Sequence, residues 1–111
     1  MNNRNAKYGK RVFVSGKVSG IEYLEACKLF YDAAAIVLRR GFIPVIPVEL
    51  CRSYWGWYRC MAKCLWYLFF CKYILQLDNW ESSRGARVEY RFARFFGKRV
   101  LRIVDGKIKG L

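Results

Sequence analysis

With 111 residues the chain has room for one core and too few for two ordinary domains, so a single domain over residues 11–111 is expected behind a polar, flexible segment 1–10. A content of 55% hydrophobic and 18% aromatic residues excludes a largely disordered chain. Lys and Arg number 21 against 8 acids, a formal charge of +13 that disfavours polycations and draws in anions: a nucleotide, a nucleic acid or an acidic protein.

The first strand is expected at Arg11–Ser15 (RVFVS), a β-branched and aromatic run that enters a loop at Gly16 and Lys17. Ser19 and Glu22 have the spacing of a capping box, and Leu24, Cys27, Tyr31, Ala34, Ala35 and Leu38 keep helical period up to Gly41. Residues 42–48 (FIPVIPV) read as a second strand, which Pro44 confines to a sheet edge because it has no N–H to give a ladder. A second helix over about residues 54–70, a third strand at 73–77 (YILQL) and a third helix over 83–96 follow. A fourth strand is expected at Arg99–Val104, and the turn pair Asp105-Gly106 allows residues 107–111 to return as a hairpin.

Strands alternating with helices at this spacing imply parallel strands joined by right-handed crossovers, with helices on both faces. Strand order 2-1-3-4, with a fifth strand possible, puts Pro44 at the edge. Ligands in such sheets bind at the carboxyl ends of the strands, so the loops to inspect are 15–20, 47–52 (with Pro47) and 78–85.

Five cysteines without an apolar leader point to a reducing, cytoplasmic setting and free thiols. Cys60, Cys64 and Cys71 share one helix face, but with no histidine in the chain a zinc site would need Cys27 or Cys51 as fourth ligand. Buried cysteine is usually a small core residue, so neither metal nor cofactor is expected. Lys63 and Lys72 leave only residues 64–71 as an unbroken apolar run, far below the roughly 18 to 20 residues of a membrane span.

The third helix carries the main anomaly. Gly85, Val88, Phe92, Phe95 and Phe96 form an apolar arc, while Arg84, Arg87, Arg91 and Arg94 line the opposite side and Lys98 continues beyond. Glu89 falls inside the apolar arc, where an unpaired carboxylate costs several kcal/mol. Two readings follow: a catalytic carboxylate near the crevice, or a structural one held by the helix N-terminus or an arginine. Ser82, Ser83, Arg84 and Gly85 at the helix start suit an anion, though a serine there is more often a plain cap. Ser15, Gly16 and Lys17 combine close backbone approach with a cation. The arginine stripe can instead track nucleic-acid phosphates, a lesser expectation because no aromatic platform is interleaved with it.

Residues 12–20 (VFVSGKVSG), 41–47 (GFIPVIP) and 80–89 (WESSRGARVE) together resemble a family of small bacterial and phage proteins catalogued as a domain of unknown function and related to nucleoside 2-deoxyribosyltransferases. The resemblance covers nearly all of residues 11–104, and W-E-x-S-R-G-A-x-x-E is its most specific part. It implies a three-layer, Rossmann-like (flavodoxin-like), mainly parallel open sheet. It also implies that Glu89 is the nucleophile that attacks an anomeric carbon, with Trp80, Ser82 and Ser83 near the sugar or its phosphate. Relatives usually carry acids where this chain has Lys72 and Cys64, and a proline where it has Asp78, which leaves Asp78 as the proton donor by strand-end position. The resulting expectation is a deoxyribosyl transferase or N-glycosidase acting on a deoxynucleoside or nucleotide; the alternative is a non-catalytic nucleotide-binding or nucleic-acid-associated module. A homo-oligomer is also expected, because Trp55, Trp57, Tyr58, Trp66, Tyr67, Phe69 and Phe70 exceed what one helix face can bury.

Overall fold

The computed structural model describes residues 10–17, 22–51 and 55–110. Its elements are β1 (Arg11–Ser15), α1 (Tyr23–Arg39), β2 (Ile43–Val45), α2 (Pro47–Leu50), α3 (Trp57–Phe69), β3 (Tyr73–Gln76), a 3-10 turn (Trp80–Ser82), α4 (Arg84–Phe95), β4 (Arg99–Val104) and β5 (Lys107–Lys109). The sheet order is β2-β1-β3-β4-β5. β1 pairs in parallel with β2 and β3, β3 with β4, and β5 closes antiparallel on β4. This is the expected flavodoxin-like order with the fifth strand formed.

Pro44 sits on edge strand β2 opposite Val12, where its missing N–H breaks no interior ladder. The strand is shorter than its apolar run implies, because Pro47 opens α2 instead, and a proline at the first helical position is already set for helical φ. Asp105 and Gly106 both take positive φ, 53° and 74°, the backbone of the tight turn that matches strand twist in a two-residue hairpin.

Alternation along β1 divides the core. Val12 and Val14 face α1, packing with Phe30, Ala33, Ala34 and Val37, whereas Phe13 faces α3 and α4 with Cys64, Leu68, Ile74 and Ala93. Burial on both faces explains why β1 is apolar throughout rather than alternating. On α1 the buried stripe is Ala26, Phe30, Ala33, Ala34 and Val37; of the residues expected to form it only Ala34 is buried, and Leu24, Tyr31, Ala35 and Leu38 are exposed. So many apolar residues surround this helix that period alone does not select one face, and the large Phe30 does. Glu22, expected in the third helical position of a capping box, is itself the N-cap and accepts from the Glu25 N–H at 3.0 Å. Its expected partner Ser19 lies outside the described residues, as do segment 1–9, Arg52, Tyr54 and Leu111.

Expected free thiols are corrected at one pair: Cys51 and Cys60 form a disulfide across a separation of nine residues. The bond joins Cys51, at the end of α2, to the first turn of α3. Cys71 falls beyond the end of α3 and packs in the same core cluster as Cys64, its thiol donating to the Tyr67 carbonyl. Among the described residues no helix is long and apolar enough to cross a membrane.

Candidate functional site

A cavity of about 1180 Å³ lies at the carboxyl ends of β1, β2 and β3, where the sheet order reverses between β1 and β3. Gly16 and Lys17 from the β1 end, the short helix from Pro47, and Ser82, Ser83, Arg84 and Gly85 from the start of α4 line it together with Glu89. Gly16 is needed for space: a Cβ there would meet Leu77 Cδ1 at 2.7 Å. Gly85 serves packing, since a Cβ would lie 3.1 Å from Met61 Sδ on α3.

Glu89 is 4% exposed, on the buried stripe of α4 with Ala86 and Ala93. The helical wheel places it correctly, while Phe95 and Phe96, expected in the same arc, are exposed at the last residue and the C-cap of the helix. The Ser15 hydroxyl donates to Glu89 Oε1 at 2.7 Å. Burial pushes the Glu89 carboxyl up to about 8, and the Ser15 hydrogen bond opposes that rise. The arginine partner of the structural reading is not among the causes, which are burial and Ser15. The Arg84 guanidinium instead lies over the Trp57 ring, 4.2 Å from its centroid. Burial therefore favours the neutral acid form of Glu89.

The remaining predicted residues separate into two groups. Ser83 is the N-cap of α4 and accepts from the Ala86 N–H at 3.1 Å, the plain cap that its position allows. Ser82 donates to the Asn79 carbonyl at 2.9 Å, and the Asn79 side chain accepts from the Lys17 N–H at 2.9 Å, so one residue ties the β1 and β3 loops together. Trp80 stacks on Tyr90 with centroids 4.9 Å apart and is not part of the lining; neither is Asp78, which is exposed. Glu89 and Asp78 are thus not brought together.

In the arginine stripe, all four guanidinium-bearing residues are exposed, but Arg87 donates to the Glu81 carbonyl and Arg94 to the Tyr90 hydroxyl, each at 2.9 Å. These local bonds hold Arg87 against the 3-10 turn and Arg94 against its own helix.

Sequence reasoning passed over Glu49, Trp55 and Trp57, which line the cavity from segments it had marked only in outline. It also passed over Gln76. This residue pairs in register with Ser15, is 2% exposed, and has neither amide atom hydrogen-bonded. A polar residue at the end of a strand reads as a terminus, so no pattern singled it out. Gln76→Leu removes two buried unsatisfied atoms at nearly constant volume, and we expect it to raise stability by about 1 to 3 kcal/mol in urea unfolding. A drop in the urea midpoint would show that the amide has a partner in solution.

A mainly parallel five-stranded sheet with helices on both faces, a crevice at its switch point and a buried carboxylate beneath that crevice define a flavodoxin-like α/β protein. The chain belongs to the family described as "Domain of unknown function (DUF4406)", which it matches over residues 10–102. Two solved structures share its fold. A 2-deoxyribosyltransferase from Bacillus psychrosaccharolyticus superposes with a TM-score of 0.63 at 14% identity, covering 83% of this chain and 70% of that one. The 2-deoxyribosyltransferase from Leishmania mexicana also reaches 0.63, at 19% identity over 92% of this chain and 81% of its own. At these identities the likeness is one of fold, and it agrees with the kinship expected from the sequence. No curated protein matches the chain.

Proposed function

We propose that this protein is a deoxyribosyl transferase or N-glycosidase acting on a deoxynucleoside or deoxynucleotide, with Glu89 as the nucleophile. The observation that carries the reading is a buried carboxylate, bound by Ser15, that lines a cavity at the switch point of a fold shared with 2-deoxyribosyltransferases. An oxygen of ionised Glu89 bonds to the anomeric carbon, the glycosidic C–N bond breaks, and its electron pair leaves with the base, which takes up a proton. Water or a second base then attacks the same carbon and frees the carboxylate. Lys17 and Arg84 supply positive charge at the rim for a sugar phosphate, and the ring of Trp57 holds Arg84 in place beforehand. The step does not rest on Asp78, which stands outside the lining.

The second reading, a nucleotide-binding module without catalysis, is favoured by one observation. Glu49 joins Glu89 as an acid of the lining but is engaged by the Tyr31 hydroxyl at 3.1 Å, so a dedicated proton donor is lacking among the described lining residues. Incubation with a panel of deoxynucleosides and deoxynucleotides, read as free base by chromatography, separates the two. We expect base release from at least one member; saturable binding with no release from any would establish the second reading. The proposal also includes a homo-oligomer, supported by the exposure of Tyr58, Trp66, Phe69 and Phe70 on and just after α3.

A further inference from the structure

The α3 side of the cavity holds sulfur chemistry that glycosyl transfer does not use. Cys51 caps the end of α2, its N–H donating to the Pro47 carbonyl at 3.2 Å. Cys60 and Cys64 lie four residues apart on α3, on one face of that helix. The three sulfurs all lie within 4.8 Å of one another, and Cys51 Sγ is 3.8 Å from Cys64 Sγ.

We propose that Cys51, Cys60 and Cys64 form a redox-gated zinc site, which takes one zinc ion when the Cys51–Cys60 disulfide is reduced. A tetrahedral zinc ion with Zn–S bonds of about 2.3 Å sets its sulfurs about 3.8 Å apart. Cys51 and Cys64 already stand at that separation. Cys60, now bonded to Cys51, needs only the small withdrawal that follows cleavage of the S–S bond.

The third sulfur decides between this and a plain structural disulfide. A crosslink between α2 and α3 needs two cysteines, yet Cys64 is 1% exposed and lies against the pair. A thiol buried among apolar groups is a poor attacker of disulfides, so Cys64 is badly suited to be a resolving thiol. As a metal ligand it is deprotonated by the zinc ion itself, whose charge stabilises the thiolate.

Charge fits as well. Three thiolates with Zn²⁺ carry one net negative charge, and Arg59 and Lys63 each precede one of the ligands on α3 in a chain of net charge +13. All three cysteines line the cavity, so the fourth coordination position faces the cavity and takes water or a ligand atom. The balance is complete: a dithiol reductant gives two electrons and two protons to the disulfide and becomes a disulfide itself, and the three thiols release three protons as zinc binds. Oxidised or metallated, the site ties together the same two elements.

The full chain, reduced with a dithiol that is then removed without air, is titrated with zinc against a chromophoric chelator and separately with cobalt(II). We expect one zinc per chain, a cobalt–thiolate charge-transfer band, and no binding by the oxidised protein. Cys64→Ser should weaken zinc binding by two orders of magnitude or more, while Cys27→Ser and Cys71→Ser leave it unchanged. Absence of the charge-transfer band in the reduced parent overturns the proposal without any variant having to fold. Zinc binding that survives Cys64→Ser, or that is lost in Cys71→Ser, overturns it equally. Base release plays no part in these readouts, so this site and the catalytic reading stand or fall separately.

Discussion

Glu89→Gln is expected to leave a folded protein that still binds a deoxynucleotide and releases base slower by orders of magnitude. Glutamine keeps the shape of the side chain and can still accept from the Ser15 hydroxyl, but its amide cannot form the ester that a carboxylate nucleophile forms. Removal of a nucleophile is felt in the transition state, so the loss belongs in kcat, with binding nearly preserved. The parent supplies its own control through pH. A carboxyl pushed up to about 8 must lose its proton before it attacks, so kcat/KM should climb with pH and level off above about 8. If Glu89 acted as a general acid, kcat/KM would fall over the same interval. Base release by Glu89→Gln at a rate close to the parent's would remove Glu89 from the mechanism.

How far the sequence carries the structure depends on the kind of signal. β1 and β4 are bounded as expected because their apolar runs are short, β-branched and closed by polar or turn residues. Pro44 carried information about topology as well as local structure, since a residue without an N–H has few places in a sheet. The burial of Glu89 was legible because α4 has one narrow apolar stripe and a charged remainder. The α1 stripe was not, since apolar residues surround that helix and Tyr23, Leu24 and Leu38 remain in solvent. The disulfide and the third sulfur beside it bring together residues of two separate elements, which no periodicity encodes. Gln76 became visible only when its partners were sought in three dimensions. Glu89 lacks the arginine partner that the sequence allowed for a related reason: Arg84, at the start of the same helix, engages Trp57. Counting cations near a carboxylate does not say where they point.

The stability of the protein should fall as pH rises from about 4.5 through about 8, and Glu89→Gln should remove that fall. Glu89 has an ordinary value of 4.5 and is raised to about 8 by burial, so between these values the folded chain keeps a proton that the unfolded chain has released. Stability then decreases as pH rises, because the folded state binds more protons than the unfolded one. The contribution is whole below about 4.5, declines across the interval and is gone above about 8. The loss across that interval is on the order of 5 kcal/mol. Other groups titrate in the same range, so the quantity to follow is the difference between parent and Glu89→Gln in urea unfolding, in which their contributions cancel. That difference should move in favour of the glutamine variant as pH is raised from about 5 to about 9. The partner seen at Glu89 is the neutral Ser15 hydroxyl, so the substitution breaks no ion pair and should not destabilise at neutral pH. Ser15→Ala sharpens the test: without the hydrogen bond that favours the ionised form, the fall in stability should extend to higher pH than in the parent. Parallel pH curves for parent and Glu89→Gln would mean that Glu89 is ionised in the folded chain throughout, with a cation brought to it in solution.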